Sequence, residues 1–259
     1  MTRLAHPRYC DEIAHQVGQL RAVVTSGTDL SRTVPTTPDW SVEQLVRHLG
    51  GALRWVALMV RTGAEKEAQD EDVPDFEGPE ARGDAAALDA WLAESGDLVV
   101  SALREAGPDA RVWSWAGVDN AGFWARRMTH EVTVHRADAT LAAGLPYDVA
   151  PEVAADAVDE WLEIVEWAQR TLPDDEVHGL RGPLRTIHLH ATDTAPEANH
   201  SIRQSAPSAV SPATRAVSSG SPSKSTLMLP RKMITAEKRY PWLVMSDGRV
   251  WRMCQVSVT

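Results

Sequence analysis

Cysteine is nearly absent. The 259 residues hold two, Cys10 and Cys254. A pair so few and so far apart cannot build a disulfide framework, and it fits a reducing compartment. Neither sits in a metal-ligand spacing. Long apolar runs are missing as well, so no membrane span is expected. The first twelve residues contain no apolar signal core, which makes the expected location cytoplasmic. Positive charge is in deficit: net charge is −10, which argues against nucleic acid as the main partner. Phenylalanine is scarce too, with two against ten tryptophans. Composition alone does not account for that imbalance.

Helical periodicity fills the first two thirds of the chain. A first helix is expected over about 7–27, on the stripe Ile13, Val17, Leu20, Val24. Pro35 and Pro38 punctuate a loop, and Ser41 with Gln44 forms a capping box that opens a second helix running to about Thr62. Gly50-Gly51 would allow close backbone approach in its middle. Residues 63–83, acidic and broken by Pro74, Gly78 and Pro79, read as an exposed loop. A third helix spans about 84–106, from Asp84 to the stop at Gly107-Pro108. The fourth spans about 121–143 and ends at Gly144, and a fifth covers about 151–171. The fold class is therefore mainly α: a four-helix bundle with one long connection, whose interior can host a metal.

Polar residues interrupt two of the apolar stripes. The second helix reads Leu45, His48, Ala52, Trp55, Met59, and the fourth reads Trp124, Met128, Glu131, His135. Glu131 and His135 lie four apart and share a face. A carboxylate on an apolar stripe is costly unless something pairs with it. Two imidazoles and a carboxylate converging in a bundle suit a divalent ion, most naturally zinc with a fourth position open. Nickel, iron or manganese would accept the same donors. The plainer alternative is a solvated Glu/His helix pair and a hydrogen-bonded core histidine. His130 is not expected at the same ion, because residues five apart point about 140° from each other on a helix. Arg126 and Arg127 are expected in structural ion pairs rather than on a substrate. Arg136 and Asp138 are candidates to orient the ligands from behind. Trp40 and Trp124 are expected to pack in the core.

The run from Val34 through Pro38-Asp-Trp40 and His48-Leu-Gly-Gly51, followed by Trp124 and His130-Glu-Val-Thr-Val-His-Arg-Ala-Asp138, resembles the mycothiol-dependent maleylpyruvate isomerase family of actinobacteria. That family belongs to the DinB-like group of metal-binding four-helix bundles. The likeness covers about residues 7–196. It implies that His48, Glu131 and His135 hold a catalytic zinc. It implies mycothiol as cofactor, its thiol at the open position as a thiolate that attacks an electrophilic small molecule. For isomerisation, the thiolate adds to the conjugated double bond of maleylpyruvate, the resulting single bond rotates, and elimination gives fumarylpyruvate. Other members are S-transferases, and sequence does not separate the two. A metal-binding bundle without catalysis, or a metal-dependent hydrolase, are the alternatives. The working unit is expected to be a monomer.

Three regions are expected: the bundle over 7–145, a linking helix and the start of a C-terminal α/β domain over 150–199, and a basic tail over 200–259. Arg185–Ala191 alternates and reads as the first strand of the α/β domain, with His188 and His190 on its exposed face. Beyond residue 199 the composition changes. Residues 200–259 hold 9 Lys/Arg against 2 Asp/Glu, and His200–Ser225 is a Ser/Pro/Ala tract expected to be disordered. A shifted coding frame or gene end near residue 199, replacing the rest of the family's C-terminal domain, is one explanation. A tail for an acidic partner is the other. The family's C-terminal arginine, expected to bind substrate carboxylates, has no counterpart here.

Overall fold

A computed structural model describes residues 3–171 and three short strand pairs beyond them. Five helices carry the described chain: α1 His6–Val24, α2 Val42–Thr62, α3 Ala85–Ala106, α4 Ala121–Ala143 and α5 Pro151–Thr171. Their ends follow local chemistry. Ser41 caps α2 by accepting from the Gln44 amide, and Gln44 reaches back to the Ser41 amide, completing the expected capping box. Asp84 and Asn120 cap α3 and α4 in the same way. At the other end of α4, Gly144 takes the left-handed conformation (φ 71°) that a side chain would strain.

Around the bundle the order is α1, α3, α2, α4, so α2 and α4 are neighbours while α1 and α2 sit diagonally. Ile13, Leu20, Leu45, Leu49, Leu53, Leu88, Leu92, Leu103 and Trp124 fill the interior at 2% exposure or less. Each such side chain contributes about 1.5–3 kcal/mol relative to leaving it in water. Gly50 matters for this packing. A β-carbon there would overlap the Trp91 ring, so the absence of a side chain lets α2 and α3 approach.

The Pro-punctuated segment read as loop is instead a small hairpin, β1 Thr33–Val34 with β2 Thr37–Ser41. Pro35 and Thr36 form its two-residue turn, so the prolines fall at the turn and in a very short strand, where they interrupt little pairing. The hairpin leads directly into α2.

α5 is joined to the bundle by buried charge. Asp156 accepts from the Tyr9 hydroxyl (2.7 Å) and the Arg126 guanidinium (3.1 Å), and pairs with His130 Nε2 (2.9 Å). Arg126 continues to Glu163 at 2.7 Å. His130 is thereby a structural residue of the α4/α5 contact. Burial alone would raise the Asp156 carboxyl; His130, Tyr9 and Arg126 outweigh it and hold the group at about 2.

By chain contact the structure divides within α5, one unit running continuously to Ile164 and the other beginning at Val165. In the second, β3 Thr186–Leu189 confirms the strand read from alternation. It pairs antiparallel with β4 His200–Arg203, Ile187 opposite Ile202. Pairing thus continues past residue 199, where the composition changes. A further pair, β5 Leu243–Val244 with β6 Val250–Trp251, groups with the first unit. The side chains of His188 and His190, the state of the Ser/Pro/Ala tract beyond Arg203, and Cys254 lie outside the described residues. No described helix is long and apolar enough to cross a membrane.

Three substitutions test this packing. Gly50→Ala should lose about 1–3 kcal/mol in thermal unfolding through overpacking against Trp91. Gly18→Ala, whose new β-carbon meets nothing within 4 Å, should instead gain up to about 1 kcal/mol of helix stability. Asp156→Asn should cost about 3–5 kcal/mol near pH 7 by breaking a buried pair. The wild-type carboxyl titrates lower when folded than unfolded. Its contribution is therefore complete above about pH 4 and lost as pH falls toward 2. Urea unfolding across that window should show the gap between wild type and variant closing.

Candidate metal centre

Adjacent helices bring the interrupted stripes together. α4 supplies Glu131 and His135 one turn apart, and α2 supplies His48 across the groove. One ligand atom from each lies within 4.8 Å of the others. Glu131 Oε1 is the hub, 3.0 Å from His135 Nε2 and 3.6 Å from His48 Nε2. The two imidazoles stand perpendicular, 5.3 Å between centroids. Among the described residues this is the group of His, Cys, Asp and Glu side chains able to hold a metal ion. Side-chain exposures of 29% for His48, 17% for Glu131 and 14% for His135 place it at the edge of the core, reachable from solvent.

The outward-facing atoms of the ligands are held as well. Asp138, one turn beyond His135, accepts from its Nδ1 at 3.2 Å, leaving Nε2 for the centre. Thr36, at the hairpin tip, donates to the other Asp138 oxygen at 2.7 Å. Arg127 donates to Glu131 Oε2 at 2.8 Å and pairs with Glu160 of α5. Arg136, expected beside Asp138, turns the other way. Its guanidinium donates to the Asp148 carbonyl and lies 4.0 Å over the Tyr147 ring, so it does not orient the ligands. Trp124 is buried, as expected. Trp40 is only half-buried and tilts over His48 with 4.8 Å between ring centroids. Thr36 and Trp40 reach the site through the hairpin, which periodicity did not reveal.

Electrostatics fit a cation. Burial alone would raise the Glu131 carboxyl, but Arg127, His135 and His48 overcome it and hold the group well below the usual carboxylate range. Burial would lower His135; the Asp138 and Glu131 carboxylates override it and push the ring up to about 10. Without metal, an imidazolium is clamped between two carboxylates. In formal charges, Glu131, Asp138 and Glu160 against Arg127 and His135 leave −1, and loss of the His135 proton leaves −2. A divalent ion matches that charge, and the donor set of two imidazoles and a carboxylate is one that zinc accepts.

A family model described as the mycothiol maleylpyruvate isomerase N-terminal domain matches residues 10–140, a span that includes all three ligand candidates. No curated protein and no solved structure matches the chain.

Because His135 must lose its proton to ligate, metal uptake should compete with acid. Adding zinc to metal-free protein near pH 7 in weak buffer should release about one proton per ion. The apparent affinity should rise about tenfold per pH unit below about pH 10. The clamp's own contribution to the metal-free fold has the opposite sense. It is fully present below about pH 6.5 and lost as pH rises through about 10. Zinc uptake without proton release would count against His135 as a ligand.

Proposed function

The chain belongs to the mycothiol maleylpyruvate isomerase N-terminal domain family, and from that premise we propose that it is a zinc-dependent, mycothiol-using isomerase or S-transferase. The observation that carries this reading is Glu131 Oε1 facing the Nε2 atoms of both histidines at 3.0 and 3.6 Å. Three protein ligands are the pattern of a catalytic zinc site rather than a closed structural one. When bound, the ion supplies the Lewis acidity that keeps a thiol as its nucleophilic thiolate near neutral pH.

The chain's own residues do the rest. His48, Glu131 and His135 themselves give one negative charge and two neutral donors. These three alone would leave a divalent ion with one positive charge toward a thiolate, the second negative charge standing behind them on Asp138. Asp138 fixes the His135 tautomer and ring plane and raises its basicity as a ligand. Trp40 lies against His48, an aromatic ring beside one of the two imidazoles. A small-molecule thiol and a small electrophile are the partners, and the thiolate adds to the electrophilic carbon.

Protein purified without chelator should contain about one zinc per chain, and His48→Ala should contain almost none. With metal established, the wild type should consume maleylpyruvate or a model electrophile only when mycothiol is added, and His48→Ala should lose at least about a hundredfold of that rate. Turnover with no thiol present would identify a hydrolase. Zinc held with no thiol-dependent turnover would identify a metal-binding bundle that does not catalyse.

A further inference from the structure

Among the described residues, Arg127 is the arginine that donates to one of the three ligand candidates. It lies four residues before Glu131 on α4, and its guanidinium is shared between two carboxylates. One is Glu131, through Oε2 at 2.8 Å; the other is Glu160 on α5, buried at 5% exposure. The division of labour within Glu131 is sharp. Oε1 faces both imidazoles, and Oε2 faces the guanidinium. We propose that Arg127, anchored by Glu160, is a positioning residue that restricts Glu131 to ligation through one oxygen and so keeps a coordination position free for the thiol. The proposal rests on the zinc reading above.

The physical reason lies in what a carboxylate does when its second oxygen is free. Asp and Glu take metal ions through one oxygen or two, and the partner of the second oxygen decides which. Here Oε2 is part-buried and satisfied by a charged donor, a strong and directional hydrogen bond. Remove the guanidinium and Oε2 loses its protein donor at the edge of the core, with the ion as the nearest positive charge. The carboxylate would then close on the ion with both oxygens and occupy the position meant for sulfur. Glu160 matters because a long arginine side chain is free to turn away unless its other edge is held. Its place on α5 makes the fifth helix part of the support of the metal site.

Cobalt(II), an absorbing substitute for zinc, provides the test. Metal-free full-length wild type, Arg127→Met and Glu160→Gln are loaded with cobalt, checked for helical content by circular dichroism, and titrated with 2-mercaptoethanol. Wild type should show strong visible absorption and a near-ultraviolet thiolate-to-cobalt band. Both variants should absorb more weakly in the visible, as a higher coordination number requires. Their thiol affinity should fall by about tenfold to a hundredfold. If Arg127→Met does not fold, Glu160→Gln decides alone, since it preserves volume while removing the charge that holds Arg127. Folded variants that take up cobalt and thiol like wild type would overturn the role of Arg127. A wild type that takes up no cobalt would overturn the metal reading itself and this inference with it.

Discussion

The arrangement of the site depends on one constraint: a carboxylate at the edge of a packed core must have both oxygens satisfied. Glu131 meets it by giving one oxygen to two imidazoles and the other to a guanidinium. Each partner then needs a partner. His135 takes Asp138, Asp138 takes Thr36, and Arg127 takes Glu160. That sequence of obligations reaches from the hairpin before α2, through α2 and α4, to α5. The three candidate ligands are thus tied to four separate elements.

The helical frame was legible in the sequence because helices announce themselves locally. Ser41 with Gln44, Asp84, Gly107 and Gly144 mark ends that the structure reproduces, and apolar periodicity supplies the middles. The convergence of His48 with Glu131 and His135 was legible only as interruptions of two apolar stripes, since spacing cannot say which helices are neighbours. The hairpin was not legible: two prolines in nine residues suppress the strand pattern, and β1 is two residues long. With it went Thr36 and the position of Trp40. In the sequence Arg127 reads as an ion-pair residue and Arg136 as the one standing behind the ligands. Only the position of α5 and of the Asp148 carbonyl sends one toward the ligands and the other away.

The excess of tryptophan acquires a physical reason in the long connections. Indole buries a large apolar face yet keeps one donor, and several of these donors end on loop carbonyls. Trp55 donates to Ala68, Trp91 to Asp75 and Trp124 to Trp113. Phenylalanine is smaller and would leave those carbonyls without the indole donor. Rings of Trp55, Trp113 and Trp124 also meet edge to face, with centroids 5.4–6.4 Å apart, which ties the connection before α4 to the bundle. The irregular segments are therefore fastened by side chains from the helices as well as by backbone bonds such as Trp113 N–H to the Ala64 carbonyl.

His130 and His135 show how one helix separates architecture from chemistry. Each ring contacts carboxylate, and each carboxylate is also held elsewhere: Asp156 by Tyr9 and Arg126, Glu131 by Arg127. The five-residue spacing turns them to different faces. His130 is sealed at 1% exposure between α1, α4 and α5, where an exchangeable proton would serve nothing but the fold. His135 sits at the open edge, beside a second imidazole that the Asp156 cluster lacks. A buried ion pair stabilises only while both charges stay, so it suits a joint between helices. The His135 pair is instead part-open to solvent, at 14% and 17% side-chain exposure against 2% and 4% for His130 and Asp156. Access and a neighbouring third donor, not the residues of the pair, thus separate the two clusters.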